Sequence, residues 1–238
     1  MHKRVAVLID GGFFRKRYRE IYKGLPADPK ELARRLYGMA MAHAGDMDDL
    51  YRIYYYDCPP LSKKAHNPVS GRAVDFSKEP QAIYMNQYLE EIKRKRKVAL
   101  RLGHLSDFGE WRIRSRLTKD IVTGRLDPTT LQEADVTYEM KQKGVDMKIG
   151  VDITTLALKQ LVGKIILIAG DADFVPAAKL ARREGIDFVL DPMWTHIHPD
   201  LYEHIDGLDS KCKNPARKRD VANRAMAPAE PANEAGST

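Results

Sequence analysis

Apolar residues along this chain gather in short unbroken runs, separated by longer stretches in which they recur every three or four positions. Val5-Ala6-Val7-Leu8-Ile9 and Ile165-Ile166-Leu167-Ile168 are such runs, and they predict parallel strands covered on both faces. Leu50 to Tyr56 predicts a strand closed by Cys58-Pro59-Pro60, Val98 to Leu105 another, and Ile186 to Leu190 a fifth. Helical spacing fills the gaps. One helix opens at Asp28-Pro29 and runs through Leu32, Leu36 and Met39, with Pro29 suited to its first turn. Others are expected from about Gln81 to Lys97, from about Met147 to Leu161, and from Phe174 to Glu184, where Gly185 stops the helix. A short one is expected near Pro199–Ile205, and residues 61–80 read as a polar loop.

Residues 111–143 break the alternation. Trp111 to Leu117 alternates with period two and Val136 to Met140 reads as its partner, together a small β extension on the main sheet. Five buried strands with helical crossovers predict a three-layer α/β/α fold with a mainly parallel central sheet. In such sheets ligands bind beyond the carboxyl ends of the strands. The domain is expected to span residues 1–210. Residues 211–238, basic and then rich in Ala and Pro, cannot build a core and read as a disordered tail.

Composition adds limits. No apolar run approaches the ~20 residues that span a bilayer, and Val5–Ile9 is too short for the apolar region of a signal peptide. Cys58 and Cys212 stand in unlike contexts, with neither zinc spacing nor a disulfide framework, which fits a cytoplasmic protein. The formal charge of +7 favours a polyanionic partner. The segment from Lys211 holds six Lys/Arg against Asp220, Glu230 and Glu234, so the folded part is only mildly basic.

The chemistry sits at the strand ends. The first strand ends in Asp10, before Gly11-Gly12, and Ile165–Ile168 is followed by Ala169-Gly170-Asp171-Ala172-Asp173-Phe174. Asp10 and Asp171 therefore fall where a doubly wound sheet places its site, Asp173 shares the turn with Asp171, and Asp146 opens the helix after Lys143-Gly144-Val145. Aspartate is a favoured helix N-cap, and for Asp146 and Asp173 that reading stays open. Asp10 is different, since an acid at the buried end of an apolar strand costs desolvation with no obvious cap in return. Two carboxylates about 5 Å apart repel by roughly 3 kcal/mol at an effective dielectric near 20. Such a cluster asks for a divalent ion, and all-oxygen donors suit Mg²⁺ or Mn²⁺ over zinc. That ion would polarise a phosphodiester and make hydroxide from water.

Leu8-Ile9-Asp10-Gly11-Gly12, Lys143-Gly144-Val145-Asp146 with Asp152 beyond it, and Gly170-Asp171-Ala172-Asp173-Phe174 resemble the three motifs of NYN domains, the LabA-like branch of the PIN-like nuclease superfamily. Pro199-Asp200-Leu201 with Asp206 and Leu208 is similar to that family's last motif, so the resemblance covers about residues 3–210. It implies a PIN-like fold and Mg²⁺/Mn²⁺-dependent cleavage of RNA, with Asp10, Asp146, Asp171 and Asp173 as the acidic, metal-holding site. Asp152 is a weaker ligand candidate, because six residues beyond Asp146 on a helix it lies about 240° round. Many members carry Asn shortly after the first aspartate, where this chain has Gly12-Phe13-Phe14.

Arg112, Arg114 and Arg116 fall on one face of the expected strand and suit a phosphate backbone, or equally a charged, solvated edge. Lys148 stands near the acids as a further nucleic-acid contact. Lys93 to Lys97 reads as a solvated helix end, Tyr54-Tyr55-Tyr56 as strand core, and His196 and His198 as surface. The expectation is a ribonuclease acting on single-stranded RNA, with no membrane association and self-association left open. The alternatives are an RNA- or protein-binding module of the same fold, and a phosphatase or Toprim-type enzyme. A Toprim enzyme would want Glu where Asp10 stands.

Overall fold

In chain order the computed structural model, which describes residues 4–105 and 110–216, begins with β1 (Val5–Asp10), α1 (Gly11–Tyr22), α2 (Pro29–Ala44) and β2 (Leu50–Asp57). A hairpin of β3 (Lys64–His66) and β4 (Ala73–Asp75) leads into α3 (Pro80–Lys93), β5 (Val98–Leu102) and β6 (His104–Leu105). Next come β7 (Trp111–Ile113), α4 (Ser115–Val122), β8 (Val136–Tyr138), β9 (Gln142–Lys143) and α5 (Val145–Leu158). The chain continues through β10 (Lys164–Ile168), α6 (Val175–Arg183), β11 (Asp187–Asp191), α7 (Pro199–Tyr202) and β12 (Gly207–Leu208).

The main sheet is parallel throughout, in the order β12-β11-β10-β1-β2-β5. The unbroken apolar runs have a direct cause, since both faces are covered. Val7 and Ile9 face Phe14 and Tyr18 of α1, Leu32 and Leu36 of α2, and Tyr88 and Ile92 of α3. Ala6 and Leu8 face Ile149 and Ile153 of α5 and Ala178 of α6. Each large side chain so buried contributes roughly 1.5–3 kcal/mol. The result is the expected three-layer α/β/α arrangement.

The strand order reverses at β1 and β10. From β1 the chain passes through α1 and α2 on one face to β2; from β10 it leaves through α6 on the other. Loops that depart to opposite faces open a crevice above the two strand ends. Register levels those ends, with Ile9 opposite Ile168 and Asp10 opposite Tyr56.

Several expectations need correcting. The β extension does not join the main sheet: β7 and β8 form their own antiparallel pair, with Trp111 opposite Tyr138. The strand ends at Ile113, because Ser115–Val122 turns helical, placing Leu117 and Ile121 one turn apart. Residues 61–80 contain the β3–β4 hairpin, not only loop. A sixth strand, β12, pairs with β11. Helix α1 is hard to read because Gly11-Gly12 open it; its sequence signals are Asp10 ahead of it and the four-residue spacing of Phe14, Tyr18 and Tyr22. Of the expected tail, residues 211–216 are described, and they start as part of the domain: Cys212 packs against the core and its carbonyl accepts from Trp194 Nε1 at 2.9 Å. The remainder of the tail lies outside the described residues.

Candidate metal centre

Asp10, at the end of β1, is the N-cap of α1, and its Oδ1 accepts a hydrogen bond from the Phe13 amide at 3.0 Å. The expectation that it returns no cap is therefore wrong. Capping does not settle its charge, however: burial raises its pKa above the ordinary carboxylate value against the Phe13 hydrogen bond, and the charge of Asp146 adds to the rise. Asp171 caps the short 3-10 turn Ala172–Phe174, accepting from the Asp173 amide at 3.1 Å. Asp173 caps nothing and is exposed.

Asp146 lies in the first turn of α5, whose N-cap is Gly144, a glycine at φ 81°. Capping therefore does not account for Asp146. Its pKa is raised by partial desolvation, then by the charges of Asp171 and Asp173. It thus feels Asp10 from β1 as well as both acids beyond β10. Among the described residues, Asp146, Asp171 and Asp173 form no ion pair with Lys, Arg or His.

Two other strand-end acids, with no sequence motif to mark them, behave oppositely. Asp57, ending β2, is fully buried and pairs with Arg15; it also accepts from Tyr55 Oη at 2.9 Å and the Cys58 amide at 2.8 Å. Asp191, ending β11, accepts from His43 Nε2 at 2.8 Å, the Met193 amide at 2.7 Å and Ser210 Oγ at 2.9 Å. Strand ends on either side of the crevice hold satisfied carboxylates; those at the crevice hold carboxylates that repel.

The weaker ligand candidate does not join them. Asp152 accepts from Tyr56 Oη at 2.8 Å and Arg101 Nε at 3.0 Å, which occupies it elsewhere on α5. The arginine row is also dissolved. Arg112 pairs with Glu139, Arg114 Nε donates to the Ala134 carbonyl at 2.7 Å, and Arg116 pairs with Asp135 at 3.4 Å. They fasten β7 and α4 to residues 134–139. Lys148 is exposed on α5, two residues beyond Asp146. Tyr54, Tyr55 and Tyr56 are all buried, as expected for core.

Two clefts flank the acids. One of 590 Å³ is lined by Asp10, Lys16, Arg17, Asp171, His196 and His198. The histidines are exposed as expected, yet they stand on the wall of the cleft that holds both switch-point aspartates. Lys16, exposed on α1, is a further basic group here that periodicity did not mark. The second cleft, of 430 Å³, lies beyond Gly12, with Arg15, Phe76, Tyr138 and Gln142 in its lining.

Among the described residues no three His, Cys, Asp or Glu side chains stand close enough to hold an ion as placed. The donors nonetheless fit one. They are all carboxylate oxygens, the charge of Asp146 raises the pKa of Asp10 and those of Asp171 and Asp173 raise the pKa of Asp146, and among the described residues no Lys or Arg pairs with Asp146, Asp171 or Asp173.

A family model described as the NYN domain matches residues 69–194 of the chain. The match includes Asp146, Asp171 and Asp173 and stops short of Asp10. No curated protein matches the sequence. Among solved structures, the chain is similar to a protein of unknown function from Vibrio parahaemolyticus at 12% identity, over 89% of this chain and 95% of that one, with a TM-score of 0.42.

Proposed function

The chain belongs to the NYN domain family, within the PIN-like nuclease superfamily, and from that premise we propose that it is a metal-dependent ribonuclease hydrolysing single-stranded RNA. One observation carries this reading. Asp10 and Asp171 leave adjacent parallel strands where the strand order reverses and line a single cleft, with Asp146 coupled to both. A site of that make-up suits a polyanion only when its own negative charge is offset.

Asp10, Asp146, Asp171 and Asp173 are the groups that would hold Mg²⁺ or Mn²⁺. When bound, such an ion polarises a phosphodiester and lowers the pKa of water. The side chains have their own tasks. One carboxylate oxygen of Asp10 is fixed by the Phe13 amide, which leaves the other directed by the cap geometry. Asp171 is fixed in the same way by the Asp173 amide, so both acids are oriented before substrate arrives. Lys16 in the cleft and Lys148 beside Asp146 attract phosphate and position the backbone without reading sequence.

The test is cleavage of a single-stranded RNA with Mn²⁺, with EDTA, and by the Asp171→Asn variant. Loss of cleavage in both EDTA and the variant is expected. Equal activity in the variant would overturn the proposal. Tight RNA binding in EDTA, unaltered by Asp10→Asn and without cleavage in Mn²⁺, would assign a binding module of the same fold. Hydrolysis of a small phosphomonoester alone would assign a phosphatase.

A further inference from the structure

We infer that the second cleft, on the far side of Gly12 from Asp171, receives an unpaired nucleobase of the strand whose backbone crosses the acids. This rests on the nucleic-acid reading above and names how that substrate is held. The cleft is built from distant pieces of chain: Arg15 of α1, the loop after β2, Phe76 and the start of α3, Leu105 of β6, and the segment from β8 to β9. Its 430 Å³ falls within the roughly 300–1,000 Å³ range of small-molecule pockets.

Its chemistry is that of a base site. Phe76 and Tyr138 line it with ring centroids 4.8 Å apart, and Met140, 46% exposed, adds a polarisable wall. Trp111 meets Tyr138 edge-on at 5.4 Å, which stiffens the platform from outside the cleft. Base–aromatic stacking needs such a surface and tolerates any base. Gln81 and Gln142, both exposed in the same lining, bring amide donors and acceptors that can meet the edge of a stacked base.

A Cβ placed on Gly12 would lie 3.3 Å from Asp10 Oδ1 and 3.7 Å from Gln142 Oε1, so the acid and the cleft's glutamine border the same point. Arg15, one turn along α1, lines the cleft while bound to Asp57, which fixes its place. A strand entering past Lys16 in the first cleft and crossing Asp10 would therefore present its next base to Phe76 and Tyr138.

The probe is a short RNA pentamer, compared with the same pentamer lacking all its bases, bound with Ca²⁺ in place of Mg²⁺ or Mn²⁺, so that the acids' charge is offset while catalysis plays no part. Wild-type protein is expected to bind the base-bearing pentamer about tenfold more tightly. Tyr138→Leu is expected to shrink that ratio to near one and, separately, Gln142→Ala to lower it about threefold, each leaving the abasic affinity unchanged. Gln142 is exposed, so its variant keeps the test valid if Tyr138→Leu disturbs the β7–β8 pair. A wild-type ratio near one, no measurable binding of the base-bearing pentamer, or a ratio unmoved by Gln142→Ala would overturn the inference. Cleavage lost in Asp171→Asn with the ratio unmoved by Gln142→Ala would leave the nuclease reading standing alone. The converse pattern would keep the base cleft and remove the catalysis.

Discussion

The ring of Phe13 lies against Gly170, so closely that a Cβ added there would stand 2.5 Å from the ring's Cε2. Phe13 sits in the first turn of α1 and Gly170 just beyond β10, one residue before Asp171. The contact therefore locks the element capped by Asp10 to the turn capped by Asp171. The ring thereby ties the positions of Asp10 and Asp171 to each other.

Gly170→Ala is expected to push that ring outward. Overpacking of this kind costs about 1–3 kcal/mol. Misplacing oriented groups lowers cleavage by a further factor, on the order of tenfold to a hundredfold. Thermal denaturation and RNA cleavage measured together check this. The double variant with Phe13→Leu should recover much of the activity; no recovery would show that the ring is not the cause.

Asp146→Asn should stabilise the metal-free protein near neutral pH. The folded-state pKa of Asp146 is raised by desolvation and by Asp171 and Asp173. The group's favourable contribution is therefore complete below its unfolded value and is lost as pH rises through the folded one. The gain from the Asn variant should be present at pH 7 and absent below the ordinary value of 3.8. Urea denaturation midpoints at the two pH values decide it. Mn²⁺ should raise the midpoint of wild type more than that of the variant.

The two kinds of strand-end acid should respond differently to the same change. Asp171→Asn keeps an acceptor for the Asp173 amide, and its effect on stability should stay within about 0.5 kcal/mol. Asp191→Asn puts an amide among His43, Ser210 and the Met193 amide in a site with no exposure, and should cost about 1–3 kcal/mol. Equal losses would mean that the crevice acids are structural too.

Arg15→Leu leaves the fully buried carboxylate of Asp57 without its cation and should cost about 3–5 kcal/mol. Adding Asp57→Asn to it should restore part of the loss. A double-mutant cycle in chemical denaturation measures the coupling.

Local pattern revealed a good part of this. Strands covered on both faces need an apolar residue at every position, so β1 and β10 are written plainly in Val5–Ile9 and Ile165–Ile168, and with them the layered fold. The residues that follow each strand are fixed by covalent order, which is why Asp10 and Asp171 could be assigned to the strand ends from sequence. Local pattern failed where competing local structures are close in energy: the period-two run from Trp111 goes helical at Ser115, and the arginines scatter with it.

Charge compensation was out of reach for a different reason. Asp57 and Asp10 look alike in sequence, each at the end of an apolar strand, yet one meets Arg15 and the other meets Asp146. Asp152 and Asp146 share a helix, yet Arg101 and Tyr56 take up the first of them. Whether a carboxylate is neutralised depends on which groups come within a few ångströms of it across the fold, because Coulomb interactions follow distance in space and not along the chain. The amino-acid order decided where acids stand on the sheet; tertiary packing decided which of them remain to bind something else.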